Sequence, residues 1–212
     1  MENSTLHELI IKKALWKYDG SKVHVQTMES GMHSDLYLNT DYIFSDVSLV
    51  ERIVKDVFSK ELKSRGIHPD WIITYPPFGL PIAYALAREI KAKFAYVDRK
   101  AKVCNFDIKS GEKVVVIGDD IYSGESIKKT IDIVTKLGAK VEAPILTIGN
   151  FSGAKILSGL EVVSVISERG NLYAEKNCPM CKSGSKAVLP RPNWIKLMKI
   201  DNTMMKNRKS LS

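Results

Sequence analysis

The stretch VVVIGDDIYSGES (residues 114–126) decides the fold of this chain. It begins with β-branched residues that are apolar on both faces, a pattern typical of a strand buried inside a parallel sheet. Two adjacent acids, Asp119 and Asp120, follow where this strand should end, and a loop of small residues then leads into a helical pattern. The stretch therefore predicts a strand, a polar loop and a helix start in direct succession.

Similar apolar runs occur before and after this stretch, separated by helical or loop segments. They are WIIT (71–74), FAYV (94–97), APILTIG (143–149) and EVVSVIS (161–167). Strands that alternate with helices in this way predict a doubly wound α/β core from Trp71 to about Ser167. Ligands of such sheets bind beyond the carboxyl ends of the strands, so the loops after the strands WIIT, FAYV and VVVIG are the expected site.

The remaining segments are predicted to flank this core within one domain of residues 1–212. Capping-box spacings at Thr5/Glu8 and Ser48/Glu51 predict two helices, the second of which stops at Gly66. Strand-like VHVQT (23–27) and LYLNT (36–40) lie between them. We expect an N-terminal helix and hood (1–45), the α/β core (46–175) and a C-terminal tail (176–212).

Composition limits the classes of protein to which the chain could belong. Its 212 residues are 44% hydrophobic, enough for one sizeable core, and no run is apolar and long enough to predict a membrane span. Three cysteines are too few for a disulfide scaffold, so we expect a reducing cytoplasm. The net charge of +8 favours anionic partners, but much of the excess lies in the segment KLMKIDNTMMKNRKSLS (196–212).

The loop after VVVIG has chemistry that suits a phosphorylated sugar. A helix start lined by small residues presents free N–H groups and the positive end of the helix dipole to a phosphate. Two carboxylates would repel that phosphate, but they can accept hydrogen bonds from neighbouring hydroxyls or bind a hydrated divalent cation. The alternative is a solvated strand end at which an aspartate helps to cap the next helix.

Four further segments, in this order along the chain, strengthen the first interpretation. They are TMESGMHSDLYLN (27–39), TYPPFGLPIAYALA (74–87), DRKAK (98–102) and CPMCKSGSKAVLPR (178–191). Together with residues 114–126 they resemble the type I phosphoribosyltransferases, which use 5-phosphoribosyl-1-pyrophosphate (PRPP), and are most similar to the orotate-using branch of that family. The resemblance implies a doubly wound parallel sheet with a small N-terminal hood and a C-terminal tail.

The resemblance also implies roles for particular residues. Asp119 and Asp120 would hold the ribose 2- and 3-hydroxyls. The rest of that PRPP-binding loop would be Ile121, Tyr122, Ser123, Gly124, Glu125 and Ser126. The loop facing the pyrophosphate would be Tyr75, Pro76, Pro77, Phe78 and Gly79, with a cis peptide at Pro76–Pro77. The catalytic cations would be Arg99, Lys100 and Lys102, and the residues near the base would be Ser30, Gly31 and His33.

The reaction implied is transfer of the phosphoribosyl group from PRPP to a nucleobase, with orotate giving orotidine 5-phosphate and pyrophosphate in pyrimidine biosynthesis. Its transition state resembles an oxocarbenium ion. Mg²⁺ would bind through PRPP and water, with no protein side chains sufficient to hold it alone. A homodimer is implied because the family's mobile catalytic loop reaches across a two-fold axis.

Departures from the family pattern leave two rivals open. Glu29 stands where a basic residue is common, Phe78 replaces a Lys or small residue, and the loop after Lys102 has no His. These changes would permit an enzyme acting on another base. Glu125 replaces a usual Gly, and could either point outward from the helix or weaken phosphate binding. The second rival is a PRPP-sensing regulatory protein that binds nucleic acid; without a helix-turn-helix pattern, we do not expect nucleic acid as a partner.

The cysteines suggest a metal site only weakly. Cys178 and Cys181 have the spacing of half a zinc site, but Cys104 is distant in sequence and the histidines are scattered. The sequence therefore favours a structural turn at Cys178–Cys181 over the alternative, a zinc ion shared across a dimer axis.

Overall fold

The computed structural model describes residues 2–27, 30–98, 100 and 102–199, with side chains from residue 5 onward. The chain divides into two compact units. The first, here called the core unit, consists of Met1–Lys13 and Thr40–Arg169. The second, called the terminal unit, consists of Ala14–Asn39 and Gly170–Ser212. The basic end of the chain, residues 200–212, lies outside the described residues.

Strands and helices follow each other along the chain much as the apolar runs predict. The strands are β1 (Leu15–Lys17), β2 (Val23–Gln26), β3 (His33–Ser34), β4 (Leu36–Leu38), β5 (Trp71–Thr74), β6 (Lys93–Tyr96), β7 (Lys113–Ile121), β8 (Lys140–Val141), β9 (Ile145–Asn150), β10 (Ile156–Leu157), β11 (Leu160–Ser167), β12 (Leu172–Tyr173) and β13 (Lys186–Val188). The helices are α1 (Glu2–Ala14), α2 (Thr40–Phe44), α3 (Val47–Arg52), α4 (Lys60–Ser64), α5 (Leu80–Ile90), α6 (Glu125–Lys136), α7 (Pro179–Lys182) and α8 (Trp194–Leu197), with a π-helix at Ile53–Ser59 and a 3-10 turn at Glu175–Asn177.

The core unit is built on a sheet with the strand order β10-β11-β9-β7-β5-β6, and β8 lies beside the start of β7. The pairs β6–β5, β5–β7, β7–β9 and β9–β11 are parallel, whereas β10–β11 at one edge is antiparallel. Each predicted apolar run forms one of these parallel strands, so the predicted α/β fold is confirmed. The first strand, β5, has β6 on one side and β7 on the other, which places the topological switch point between β5 and β7.

Burial on both faces of these strands explains why the sheet forms. Ile72, Ile73, Val115 and Val116 have no exposed surface, and α6 packs on one face of the sheet. Each such side chain contributes about 1.5–3 kcal/mol when it leaves water. A surface ion pair such as Lys13–Asp46 contributes little by comparison, because water screens its charges. The apolar strands therefore fix the positions of the loops that follow them.

The helical segment before β5 begins differently from the prediction. Asp46, not Ser48, is the N-cap, and its carboxylate accepts a hydrogen bond from the Leu49 amide at 3.1 Å. The helix continues through the π-helical turn to α4 and ends before Gly66, whose φ is +65°. The predicted stop at Gly66 is therefore confirmed, while the predicted cap is two residues late.

The terminal unit combines segments from both ends of the chain. Its main sheet has the order β12-β3-β2-β13, in which β2 and β3 come from the N-terminal segment and β12 and β13 from the C-terminal segment. A separate antiparallel pair joins β1 to β4. The predicted hood and tail thus contribute strands to one sheet. Within the described residues, no helix is both long enough and apolar enough to span a membrane.

Candidate active site

Three polar loops lie at one edge of the core sheet. They follow β5, β6 and β7, which are adjacent and parallel, so their carboxyl ends meet at the same edge. These are the three loops that the sequence singled out. The loops after β5 and β7 flank the switch point, where ligands of open α/β sheets bind.

The loop after β5, residues 75–79, is held tightly against its own strand. The Pro76–Pro77 peptide bond is cis, as predicted. A Cβ atom on Gly79 would lie 2.1 Å from the Thr74 hydroxyl, so only glycine fits between this loop and the strand end. The Thr74 hydroxyl itself is buried and, among the described residues, has no hydrogen-bond partner. The loop therefore keeps its backbone close to the sheet edge and leads directly into α5.

The two acids of the loop after β7 lie within the strand itself. β7 continues through Asp119 and Asp120 to Ile121, and both aspartates are half-buried. The Thr147 hydroxyl donates to the Asp119 carbonyl at 3.2 Å, and the Phe151 amide donates to the Ile121 carbonyl at 2.7 Å. The neighbouring strand β9 and its loop thus fix the backbone that carries the two carboxylates.

The start of α6 suits an anion. Gly124 occupies the N-cap with φ at +74°, a conformation that glycine adopts without strain. A Cβ at this position would also lie 2.7 Å from the Leu157 side chain. Because Gly124 is the N-cap, neither aspartate occupies that position, as the capping alternative would require. The first amides of this helix therefore provide the donors and the dipole that favour a phosphate.

Glu125 points away from the amides at this helix start. Its carboxylate lies 2.6 Å from Lys129 Nζ, one turn further along α6, and the side chain is exposed. The hydrogen bond and charge of Lys129 lower the pKa of Glu125. Of the two alternatives for this departure, the outward-pointing one matches the geometry.

The loop after β6 begins with a tight turn. The Asp98 amide donates to the Val103 carbonyl, and the Lys102 amide donates to the Asp98 carbonyl at 2.8 Å. Asp98 Oδ1 also accepts from the Lys100 amide at 2.8 Å. The side chains of Lys100 and Lys102 are exposed, while Arg99 lies outside the described residues.

The remaining candidates belong to the terminal unit. Ser30 and Gly31 form an exposed turn between β2 and β3, in which Ser30 Oγ lies 2.8 Å from Thr27 Oγ1 and Gly31 has a φ of +66°. Glu29, one of the departures from the family pattern, lies outside the described residues. The assignment of Ser30 and Gly31 to the base stays a prediction.

His33 has neighbours that the sequence did not suggest. Its ring is 2% exposed, and its Nδ1 lies 3.0 Å from His24 Nε2 and 3.3 Å from Cys181 Sγ. With Cys178, these side chains form a group whose ligand atoms all lie within 4.8 Å of one another. The ligand count behind the zinc prediction is therefore corrected: Cys178 and Cys181 have two histidines beside them. A role for His33 in binding the base stays a prediction.

His24 is the residue of this group that the sequence analysis missed. It lies in β2 between apolar neighbours, where a lone histidine resembles any other core position. Burial, and secondarily the charge of His33, lower the pKa of His24, while burial raises the pKa of the Cys181 thiol. One signal was available: His24 and Gln26 share one face of β2, and a polar side chain that is buried there needs a partner.

A parallel sheet with acids at the end of β7, a helix start lined by small residues and a glycine-dependent loop after β5 is the architecture of a type I phosphoribosyltransferase. No protein-family model matches the chain. Curated relatives do. The orotate phosphoribosyltransferase of Caldanaerobacter subterraneus subsp. tengcongensis is 33% identical over 169 residues, covering 77% of this chain and 86% of that protein. The chain belongs to the orotate phosphoribosyltransferase family.

Further similarities agree with this assignment. The orotate phosphoribosyltransferase of Thermoanaerobacter sp. strain X514 is 34% identical, again covering 77% of this chain and 86% of that protein. Among solved structures, orotate phosphoribosyltransferase from Aeropyrum pernix has a TM-score of 0.59 at 25% identity, covering 76% of this chain and 93% of that one. Leishmania donovani UMP synthase shares the fold with a TM-score of 0.63 at 22% identity, covering 79% of this chain and 36% of that one.

Proposed function

We propose that this protein is a phosphoribosyltransferase that transfers the phosphoribosyl group of PRPP to orotate, producing orotidine 5-phosphate and pyrophosphate for pyrimidine biosynthesis. The main observation behind this proposal is that the loops after β5 and β7 lie side by side at the switch point. One brings two adjacent carboxylates and a helix start lined by small residues, and the other brings a glycine-dependent backbone turn. Such a site matches a ligand with a diol, a phosphate and a pyrophosphate.

The loop after β7 would hold the ribose 5-phosphate. Asp119 and Asp120 accept hydrogen bonds from the ribose hydroxyls, and hydrogen bonds to charged acceptors are among the stronger ones, at about 1.5–3 kcal/mol. The first amides of α6 and the hydroxyls of Ser123 and Ser126 donate to the 5-phosphate. The ribose ring and its 5-phosphate are thus both held in place before the reaction begins.

The loops after β5 and β6 would act on the leaving group. Bond formation between a ring nitrogen of orotate and ribose C1 accompanies cleavage of the C1–O bond, whose electron pair departs with the pyrophosphate. The proton of that ring nitrogen passes to the departing pyrophosphate or to water. The backbone N–H groups of Tyr75, Phe78 and Gly79, the non-proline residues of the loop, and the ammonium groups of Lys100 and Lys102 stabilise that negative charge. Fixed donors and cations aimed at developing charge are usually the largest catalytic contribution. The resemblance to the family implies the same role for Arg99.

Mg²⁺ fits this site as a companion of PRPP. The half-buried carboxylates of Asp119 and Asp120 are oxygen donors of the kind Mg²⁺ accepts, and they adjoin the proposed positions of ribose and pyrophosphate oxygens. These two residues would hold the ion through its water and the substrate's oxygens. When bound, Mg²⁺ supplies charge neutralisation on the pyrophosphate.

Two further parts of the proposal concern the cellular compartment and the oligomeric state. We propose a reducing cytoplasm as the compartment, in keeping with three cysteines that form no disulfide with one another. We also propose a homodimer, because the exposed Lys100 and Lys102 stand where the family's loop serves a neighbouring subunit.

The direct test is a panel of free bases, including orotate, uracil, adenine and hypoxanthine, incubated with PRPP and Mg²⁺ while pyrophosphate release is measured. We expect release with orotate and a much slower rate with the others. Release with a different base would identify a sister enzyme of the same fold. PRPP binding without release for any base would overturn the enzymatic proposal and favour a regulatory role.

A further inference from the structure

Four potential metal ligands come together in the terminal unit, remote in sequence from the loops proposed to bind PRPP. His24 and Cys178 are separated by 154 residues of chain, yet His24 Nε2 lies 3.7 Å from Cys178 Sγ and 3.6 Å from Cys181 Sγ. The two histidine nitrogens are 3.0 Å apart, and Cys181 Sγ is 3.3 Å from His33 Nδ1. With the two remaining pairs included, all four ligand atoms lie within 4.8 Å of one another.

These distances are close to those that a tetrahedral zinc site requires. With Zn–N bonds of about 2.0–2.1 Å and Zn–S bonds of about 2.3 Å, tetrahedral angles place two nitrogens about 3.3 Å apart. The same geometry places a nitrogen and a sulfur about 3.6 Å apart. The observed separations of 3.0, 3.3, 3.6 and 3.7 Å differ from these values by at most a few tenths of an ångström.

Strand pairing explains why both imidazoles lie together. His33 pairs with Gln26 across the β2–β3 hairpin, and Gln26 lies two residues beyond His24 on the same face of β2. The two histidines are therefore diagonal neighbours on one face, close enough for their rings to meet.

A tight turn places the two thiols beside them. The Lys182 amide donates to the Cys178 carbonyl at 3.2 Å, and the Gly184 amide donates to the Cys181 carbonyl at 2.9 Å. Gly184 has a φ of +84°, which lets the chain reverse into β13. β13 then pairs with β2, so the turn and the hairpin belong to the same sheet.

Ser185 orients the histidine in β2. Its hydroxyl lies 3.0 Å from His24 Nδ1, on the side of the ring opposite the cluster. If Nδ1 carries the proton and donates it to Ser185 Oγ, the lone pair of Nε2 points at the other three ligand atoms. Metal-bound histidines are usually oriented by such a second hydrogen bond.

We propose that His24, His33, Cys178 and Cys181 bind a structural zinc ion. Two thiolates balance the charge of Zn²⁺, and each thiol releases its proton to water on binding, so the buried site carries no net charge. Four protein ligands fill the tetrahedron and leave no position for a substrate, which is typical of structural rather than catalytic zinc. The mixed nitrogen and sulfur set favours zinc over Mg²⁺, which prefers oxygen.

Metal analysis of the tag-free, full-length protein is the first test. We expect about one zinc ion per chain after gel filtration, as a closed tetrahedral site predicts. After removal with a chelator, Co²⁺ should restore binding and produce the intense visible bands of tetrahedral cobalt, together with a sulfur-to-metal charge-transfer band. Absence of metal from the purified protein, together with failure of Co²⁺ to give these bands, would overturn the proposal.

Single-residue variants test which side chains bind the metal ion. Cys181→Ser removes a half-buried ligand and should reduce the charge-transfer band and weaken Co²⁺ binding, whereas Cys104→Ser, in the core unit, should leave both unchanged. Ser185→Ala keeps all four ligands and should weaken metal binding about 10–100-fold. Equal loss in the Cys104 variant would contradict the assignment. No outcome depends on replacing Cys178, because it is fully buried and its replacement would also disturb the packing around it.

The same protein preparation tests the alternative that the two cysteines of the Cys-Pro-Met-Cys turn form a disulfide instead of binding a metal ion. Mass spectrometry after alkylation under non-reducing conditions should find both thiols reduced in the metal-loaded protein and readily alkylated once the metal is removed. A Cys178–Cys181 disulfide in freshly purified protein would replace the zinc site with a redox pair. Neither result depends on PRPP or orotate, so failure here leaves the proposed enzymatic function untouched.

Discussion

Acidic side chains serve different purposes at the two edges of the core sheet. At the amino edge, Glu112 accepts hydrogen bonds from Trp71 Nε1, Lys93 Nζ and the Lys109 amide at 2.7, 3.0 and 2.7 Å. There it ties together the starts of β5, β6 and β7. At the carboxyl edge, Asp119 and Asp120 stand at the end of a strand that opens toward a helix start. The first edge holds the sheet together, and the second is where we propose that the ligand binds.

Replacing either aspartate should damage PRPP binding without damaging the fold. Asp119→Asn and Asp120→Asn preserve volume and remove only charge, so we expect affinity for PRPP to fall about 10–100-fold, since hydrogen bonds to charged groups contribute about 1.5–3 kcal/mol. Calorimetric titration with Mg²⁺ present measures the affinity, and thermal melting checks the fold. Asp132→Asn, on the exposed side of α6, is the control. Unchanged affinity in both site variants would remove the diol from the proposal.

Glu112 should give the protein a distinct acid dependence of stability. Hydrogen bonds from the Lys109 amide, Lys93 and Trp71 lower the pKa of Glu112 from its usual value of 4.5 to about 2. Its contribution to the free energy of unfolding is therefore complete above the ordinary carboxyl pKa. It disappears as the pH falls toward about 2.

Urea unfolding of the wild type and Glu112→Gln between neutral and acidic pH measures this effect. We expect the wild type to be more stable at neutral pH and the two curves to converge as the solution becomes acidic. Lys93→Met should reduce the pH dependence in part, because it removes one of the three donors. Parallel curves for wild type and Glu112→Gln would show that the carboxylate is not responsible.

Among the elements, the loops at the carboxyl edge are more tightly constrained than their lengths suggest. The loop between β5 and α5 depends on the absence of a side chain at Gly79, and the loop between β7 and α6 depends on a left-handed residue at Gly124. Both glycines hold backbone amides near the sheet edge. In the proposed function, PRPP binding would therefore rely on backbone shape as much as on side chains.

A double-mutant cycle tests the contact between the first loop and its strand. Gly79→Ala would place a Cβ 2.1 Å from Thr74 Oγ1, so we expect a loss of about 1–3 kcal/mol of stability, as for other overpacked sites. Thr74→Ala alone removes a buried hydroxyl that lacks a partner among the described residues, and should be close to neutral. In the double variant, most of the loss should be recovered. Simple additivity would show that strain arises elsewhere.

The elements differ in how far the sequence predicts them. Long apolar runs such as those of β5 and β7 are predictable, because burial on both faces leaves a continuous hydrophobic signal. Two-residue strands such as β3 and β12 depend on partners distant in the chain and leave no periodicity. The N-cap at Asp46 was misplaced to Ser48 because both residues are good caps, and only the packing of the helix decides between them.

At the scale of the whole molecule, the proposed homodimer makes a distinctive prediction. An Asp119→Asn/Asp120→Asn variant and a Lys100→Ala/Lys102→Ala variant should each be nearly inactive alone. If Lys100 and Lys102 serve the neighbouring subunit, hybrid dimers contain one intact site. Equal mixing should then restore about a quarter of the wild-type activity, because half of the dimers are hybrid and each has one working site.

Subunit exchange must be demonstrated separately, for example by mass spectrometry of differently labelled chains. No recovery despite exchange would indicate that each site is complete within one chain. The Lys13→Ala variant, whose ion pair with Asp46 lies away from these loops, is a matched control for loss of a surface lysine.

The two proposed sites differ in how well the sequence predicts them. The loops at the sheet edge are contiguous motifs, in which acids, small residues and a helix start follow one another, so local reasoning places them correctly. The histidine and cysteine cluster is assembled from strand pairing between the two ends of the chain. Counting ligands along the sequence finds only Cys178 and Cys181 there, since nothing local joins a histidine in β2 to a cysteine beyond β12.

Because the terminal unit combines both ends of the chain, its sheet cannot be completed until the C-terminal strands have been translated. The ribosome makes His24 154 residues before Cys178, an interval of about 8–30 s at typical elongation rates. During that time β2 lacks its neighbour β13, whereas the parallel strands of the core unit, which end at Ser167, have all been translated. The nascent chain must therefore carry an unfinished N-terminal hairpin through most of translation. The sheet of the terminal unit can therefore close only after translation has passed β13, which ends at Val188.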